Sequence, residues 1–426
     1  MRITLLILLI FIGNLVSAQT YFPPITGNQW ETKSASDLGW CTDSIPALLD
    51  FVGQNNSKAF LVLVDGRIVI EKYYGTFSQD SFWYWASAGK SMLATVVGIA
   101  AEQKLLNINH ASSTYLNSGW TNCSTTDEQK IKIVHQLSMS SGINDIVPDL
   151  DCTEPSCLTC LAEPGTRWAY HNAVYTLLEE VIVNASNQTL NQFLNINIKL
   201  KTGMNGLYLK QGYNNVYYST ARSMARFGLL AQNNFVWNND TVLKDGTFKT
   251  QMTNSSQNIN PSYGYLWWLN GKNKFMLPRL QIVYNGMLIP NAPADMYSAM
   301  GKNGQLINVI PSKKMVVVRM GNKPADQSEL PMIFNNEIWK RLNTIMCNAT
   351  SVSHQAIEKK VSAYPNPSQN EIFIDGITNF TYCIKNVNGQ VMQEGISEGN
   401  KISVEKLPVG VYSLEIEGKT LKIVKI

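Results

Sequence analysis

Apolar and polar positions change period along the chain, and each change marks an element. A short helical pattern over Pro46 to Val52, with its proline in the first turn, leads into two β-rich runs on either side of Asp65-Gly66. Asp-Gly between such runs is the strongest short hairpin signal. An aromatic approach, Trp83-Tyr-Trp85, then gives way to Met, Ala, Leu and Val from Met92 to Ala101 with no proline, which predicts a helix whose first turn holds Ser87. Helical patterns dominate from Leu105 to about Gln257. The β signal returns near Tyr263 to Leu269 and continues through Gln305 to Ile310 and Met315 to Met320, and a last helix covers about Leu330 to Met346. A sheet begun early and completed late predicts an α/β fold with an inserted helical region, and a site between the two parts.

Residues 348–362 are polar and unpatterned, which predicts a linker. Short alternating strands follow at Glu371 to Asp375, Tyr382 to Asn386, Lys401 to Val404, Val411 to Ile416 and Leu421 to Ile426. They predict a small β-sandwich over 363–426. At the other end, Arg2, an apolar stretch from Ile3 to Leu15 and Val16-Ser17-Ala18 predict a secretory signal peptide over 1–18, leaving 19–347 as the main domain. No later stretch approaches the ~20 apolar residues that span a bilayer, so no membrane span is expected. The net charge of +4 is spread along the chain, which argues against a nucleic-acid partner or an anionic membrane surface.

Seven cysteines suit an exported protein. Cys383 lies in the tail and is expected to be a lone buried thiol; the other six leave the pairing open. The expected bridges are Cys41 with Cys347, tying the ends of the main domain, and at least one within Cys123, Cys152, Cys157 and Cys160. Cys157-Leu-Thr-Cys160 also has the spacing of a zinc or redox pair, but no second pair matches it and the chain has 4 histidines.

Ser87-Ala-Gly-Lys90 carries the candidate chemistry. Residues three apart share a helix face, so the Lys90 amine can reach the Ser87 hydroxyl. A serine nucleophile needs a base, and lysine serves only if its pKa falls well below ~10.4. Burial and the positive end of a helix both push it down. The second element is Tyr170-His-Asn172 just before the helix-like Ala173 to Ile182. A tyrosinate beside a lysine ammonium can relay protons, and Asn172 can hold the lysine or a substrate amide. The plain alternative for Asn172 is a helix cap.

Ser-x-x-Lys at a helix start followed by Tyr-x-Asn before a later helix resembles the serine β-lactamase and penicillin-binding-protein-like hydrolases, particularly the class C type. The resemblance spans roughly 40–347 and includes Glu71-Lys-Tyr-Tyr-Gly75, Gln136-Leu-Ser-Met-Ser-Ser-Gly142, Tyr218 to Leu229 and Asn260 to Trp268. The wording is most similar to esterase-like and aminohexanoate-dimer-hydrolase-like members. It implies an antiparallel sheet flanked by helices, with an acyl-enzyme on Ser87 and Lys90, Tyr170 and Asn172 as partners. The family's third motif, Lys-Thr-Gly or His-x-Gly, is matched by Ala299-Met300-Gly301; the literal Lys201-Thr202-Gly203 lies in the helical block and is rejected. By that alignment the Lys302 N–H joins the Ser87 N–H in an oxyanion hole. Ala299 stands where relatives carry the cation that binds a β-lactam or D-alanyl carboxylate, so an ester, amide or short-peptide substrate is expected over a β-lactam. Trp268 is a candidate cleft wall, with a core role as the alternative. No metal or cofactor is implied.

Three other readings compete. One is a Ser-His-Asp triad, but Trp85-Ala-Ser-Ala-Gly89 lacks the first glycine of the nucleophile elbow, and His171 is expected on an exposed loop. Another is a β-lactamase or D-alanyl peptidase, and the third a catalytically silent surface binding protein or cell-wall-peptide sensor on the same fold. The tail, through Tyr364-Pro-Asn-Pro-Ser368, Asn388-Gly-Gln-Val391, Leu407 to Tyr412 and the terminal Lys-Ile-Val-Lys-Ile, resembles the type IX secretion C-terminal sorting domain. That implies contact with the secretion machinery and a secreted or cell-surface protein.

Overall fold

A computed structural model describes residues 20–325, 330–347, 362–375, 377–416 and 419–426. The signal peptide and all of the linker but Ser362 lie outside the described residues. The chain forms two compact units, divided between residues 348 and 349.

The first unit is built on six antiparallel strands: Ser57–Val64 (β1), Arg67–Tyr73 (β2), Trp268–Leu269 (β3), Tyr297–Gly301 (β4), Gln305–Ile310 (β5) and Met315–Gly321 (β6). Their order is β2-β1-β6-β5-β4-β3, so β1 and β6, distant in sequence, pair in the middle with Val62 opposite Val317. Helices Ile45–Gln54 (α1), Gly89–Glu102 (α2), Ala221–Gln232 (α3) and Met332–Ile345 (α4) surround it. The continuous apolar runs of β1 and β6 follow from burial on both faces.

Adjacent residues of β5 show the two faces. Ile307 meets α3 where Gly228 lets the backbones approach; a Cβ there would lie 3.0 Å from the Ile307 Cγ2. Asn308, on the opposite face, exchanges hydrogen bonds with Asn335 of α4 at 2.7 and 3.0 Å. Helix α1 packs on α4, with the Arg341 guanidinium 3.6 Å from the centroid of the Phe51 ring. Buried Arg319 of β6 donates to the carbonyls of Asn303 and Gly304 at 2.6 and 3.1 Å and to the Ser57 hydroxyl at 2.8 Å, fixing the turn that follows β4.

Two features depart from the sequence expectations, and the cysteine pairing settles what they left open. The helical block contains a β-hairpin, Leu207–Gln211 with Asn214–Ser219, which takes Trp83–Tyr84 as a third strand. Only Trp268–Leu269 of the 263–269 run is strand, because Leu266 adopts a φ of +57° and breaks the extended path. The CxxC spacing forms no pair of its own: the bridges are Cys41–Cys347, Cys123–Cys160 and Cys152–Cys157. The predicted end-to-end bridge is therefore present, and the 123–160 group supplies two.

The second unit has two antiparallel sheets. One orders Ser362–Tyr364, Glu371–Asp375 and Lys401–Ser403; the other Val391–Ile396, Thr381–Asn386, Gly410–Ile416 and Lys419–Lys425. Ile372, Ile374, Ile384 and Leu414 form its core. Cys383 is free but half-buried, not buried, since strand alternation turns Ile384 inward and its neighbour outward.

Candidate active site

Ser87 sits in a tight turn, Ala86–Ala88, that runs directly into α2. Trp85 fixes the turn: its backbone N–H donates to the Tyr217 carbonyl and its indole N–H to the Ser219 hydroxyl, both at 2.8 Å. Ala86 takes a φ of +47°, a conformation non-glycine residues rarely adopt and one that sharpens the entry to Ser87. The serine opens into a cavity of about 280 Å³ whose wall includes Lys90, Asp151, Tyr170, Asn172, Met300 and Lys302.

At the second position of α2, Lys90 is 3% exposed and its Nζ donates to the Ser87 Oγ at 3.0 Å. The ammonium faces the rings of Tyr175 and Tyr170, 3.8 and 5.0 Å from their centroids. Burial lowers its pKa to about 7, against the opposing pull of the Asp151 carboxylate. The lysine is therefore poised as a neutral base near neutral pH, which no exposed lysine could be.

Tyr170 enters from a strand-like approach and lies in an aromatic cluster. It stacks on Trp268 at 5.8 Å and meets Tyr263 edge-on at 6.1 Å. Burial raises its pKa, and a hydrogen bond with the Ser87 hydroxyl pulls the other way without overcoming it. The tyrosine is thus a neutral phenol at physiological pH and not the tyrosinate that the motif suggested. Asn172 begins the helix Asn172–Thr176 and donates from Nδ2 to the Asp151 carboxylate at 2.7 Å. Its Oδ1 is buried and has no partner among the described residues.

Gln136 braces this segment. It accepts from the Ser112 hydroxyl and donates to the Val174 carbonyl, both at 2.7 Å, while the Met139 carbonyl accepts from the Ala169 N–H at 2.8 Å. The Gln-Leu-Ser-Met stretch thereby holds Tyr170 and Asn172 toward the cavity.

At the end of β4, Gly301 packs against the nucleophile turn so closely that a Cβ would lie 2.9 Å from the Ala88 nitrogen and 3.1 Å from that of Ser87. Lys302, the next residue, lines the cavity. The 301–302 backbone and the Ser87 N–H are thus neighbours.

Two predicted site residues are elsewhere. Ala299 is buried in β4 opposite Ile307, and the cavity wall is made by Met300 instead. Trp268 pairs with Ser298 and is buried behind Tyr170, so it supports the tyrosine and does not touch the cavity. His171 is buried, not exposed; its Nε2 lies 3.2 Å from the Asn144 carbonyl oxygen, and no histidine among the described residues lines the cavity. Lys201-Thr202-Gly203 ends a helix, with Thr202 buried and Gly203 at a φ of +67°. Sequence reasoning missed Asp151 and Tyr175. Neither belongs to a short motif, although Tyr175 follows Asn172 at the helical spacing that would place it near the same face.

The chain belongs to the beta-lactamase family, whose model matches residues 53–333. A second model, the secretion system C-terminal sorting domain, matches residues 362–426 and marks the protein as secreted or cell-surface. No curated protein matches the chain. Among solved structures, a Bacillus anthracis protein assigned as a 6-aminohexanoate-dimer hydrolase is similar at 18% identity and a TM-score of 0.58, covering 76% of this chain and 91% of its own. A Bacteroides dorei protein assigned as a beta-lactamase is 18% identical with a TM-score of 0.56, over 72% of this chain and 98% of its own. EstCE1, described as a hydrolase with promiscuous acyltransferase activity, is 13% identical with a TM-score of 0.54, over 72% and 99%. At these identities the likeness is one of fold. No helix among the described residues is long and apolar enough to cross a membrane.

Proposed function

We propose that the protein is an exported serine hydrolase that cleaves an ester, amide or short-peptide bond through an acyl-enzyme on Ser87. The observation that carries this reading is the 3.0 Å contact between Ser87 and a buried Lys90 whose pKa lies at about 7. Neutral Lys90 takes the Ser87 proton as the Oγ attacks the carbonyl carbon. The oxyanion of the tetrahedral intermediate is held by the backbone N–H groups of Ser87 and Lys302. Collapse of the intermediate breaks the bond to the alcohol or amine, which leaves with a proton supplied by Lys90 through the Tyr170 hydroxyl. Water then attacks the acyl-enzyme, giving up its proton along the same path, and releases the acid and free Ser87. The buried Asn172 Oδ1 is available to a substrate N–H or to the Lys90 ammonium. Residues 1–18 serve as a removable signal peptide and 348–362 as the linker to the sorting domain.

The substrate preference rests on Ala299, which supplies no cation at the position of the family's third motif; Lys302 on the cavity wall is the cation that would stand in for it with a carboxylate substrate. Purified protein is expected to take up one fluorophosphonate adduct on the Ser87 peptide, and Ser87→Ala protein none. A folded protein that stays unlabelled would leave the silent binding reading in its place. Faster turnover of a cephalosporin than of simple acyl esters would make it a β-lactamase.

A further inference from the structure

Large apolar side chains stand exposed on two lips, segments that also contribute residues to the cavity wall. One lip is the loop containing Pro148, Asp149, Leu150 and Asp151, all cavity-lining, and it carries Ile146, which is 75% exposed. The other contains cavity-lining Pro278 and Arg279 and continues into Leu280, Ile282 and Val283, which are 39, 52 and 50% exposed. The two lips converge on one stretch of backbone. Asp145 pairs with Arg167 at 2.5 Å, and the Gln281 side chain donates to the carbonyl of the next residue, Trp168, at 2.9 Å. The same stretch leads on to Tyr170.

Neither lip is exposed through want of anchoring. Lys274–Met276 pairs with Val283–Asn285, the rings of Phe275 and Tyr284 stack at 5.3 Å, and the Asn260 side chain accepts from the Met276 N–H at 3.1 Å. The inner face of this hairpin is thus buried while Ile282 and Val283 remain in solvent. Isolated exposed apolar residues are ordinary, but a cluster flanking a site marks a binding surface. The cavity, at about 280 Å³, is at or below the small end of ligand pockets. A substrate chain that leaves the cavity on this side crosses these lips.

We propose that Ile146, Leu280, Ile282 and Val283 form a collar that binds the aliphatic chain of the substrate, so that the preferred substrate is an ester or amide with a medium-length aliphatic chain. This rests on the hydrolase reading above, because the collar is placed relative to Ser87. Burying a few methylenes against the collar favours the longer chain at about 0.8 kcal/mol per fully buried CH₂, roughly fourfold each, and partial burial gives less. Asp149, Asp151, Arg279 and Lys302 on the wall are the groups that a charged short peptide would use instead.

The test compares p-nitrophenyl acetate, butyrate and octanoate, with an alanyl-peptide anilide as the charged competitor, on wild type and on the exposed double variant Ile146→Ser/Ile282→Ser. For wild type, kcat/KM is expected to rise at least about tenfold from acetate to octanoate, mainly through KM. The double variant should lose most of that rise while its acetate rate stays within about twofold. A flat chain-length profile, an undiminished octanoate preference in the double variant, or a higher kcat/KM for the peptide anilide would each overturn the collar. Titrating Ser87→Ala protein with octanoate and acetate esters, followed by tryptophan fluorescence, separates the two claims. Tighter octanoate binding that Ile146→Ser/Ile282→Ser abolishes supports the collar even where turnover is absent and the hydrolase reading fails; equal binding of both esters refutes it.

Discussion

Asp151 accepts a hydrogen bond from the Asn172 amide at 2.7 Å while its charge holds up the pKa of Lys90. One carboxylate thus orients one polar partner of the site and sets the basicity of another. Among the described residues, the groups in direct contact with Lys90 include the Ser87 hydroxyl and the rings of Tyr170 and Tyr175, all neutral.

Removing that charge has a predicted sign. Asp151 raises the Lys90 pKa, so Asp151→Asn should let it fall further below about 7. The acid limb of kcat/KM against pH, expected near 7 in wild type, should move to lower pH in the variant. An acid limb that stays in place would mean that Lys90 does not feel the carboxylate.

Lys90 itself is expected to lower stability. Its folded pKa of about 7 lies below the unfolded value, so the unfolded chain binds more protons between about 7 and the ordinary lysine range. The stability lost through Lys90 is greatest below about 7 and is regained as pH rises through that window. Lys90→Met should abolish turnover by about 10³-fold or more, raise the urea midpoint at pH 6.5, and narrow its advantage by pH 9.5. A variant less stable than wild type at pH 6.5 would contradict this.

Gly301→Ala tests the close approach of β4 to the nucleophile turn. The added methyl would lie 2.9 Å from the Ala88 nitrogen and 3.1 Å from the Ser87 nitrogen, displacing the 301–302 backbone. A fall in kcat of about 10²-fold, with KM little changed, is expected because an oxyanion donor is lost. Circular dichroism and thermal unfolding would show whether the fold is kept. Unchanged kcat would remove Lys302 from the oxyanion hole.

The disulfides should separate stability from activity. Cys41–Cys347 closes a sequence separation of 306 and Cys152–Cys157 one of 5. Chain-entropy estimates give roughly 5–6 and 2 kcal/mol. Cys41→Ser/Cys347→Ser should therefore lower the melting temperature more than Cys152→Ser/Cys157→Ser. The latter adjoins Asp151 and should shift the pH profile of activity, which the former leaves in place.

Local chemistry was legible in the chain. Ser87 and Lys90 meet because three residues span one face of a helical turn, the Asp65-Gly66 turn joins two strands that are adjacent in sequence, and Tyr170-x-Asn172 sits ahead of a helix as its motif implies. Signals of this kind arise from contacts a few residues apart, and the polypeptide geometry enforces them wherever the chain goes. The family resemblance carried the antiparallel sheet with flanking helices further than periodicity could, and the end-to-end bridge was expected from where Cys41 and Cys347 stand in the main domain.

The rest depended on packing between distant segments. Asp151 reaches Asn172 only because the loop that carries it folds back across a sequence separation of 21, and no spacing rule encodes that return. Met300 replaces Ala299 on the cavity wall, and Trp268 retreats behind Tyr170, because strand pairing decides which side chains face which layer. The hairpin over 207–219 escaped a helical reading because its third strand, Trp83–Tyr84, lies more than a hundred residues earlier. The depressed pKa of Lys90 has the same origin: the motif places the amine beside the serine, but only the folded block around α2 removes water from it.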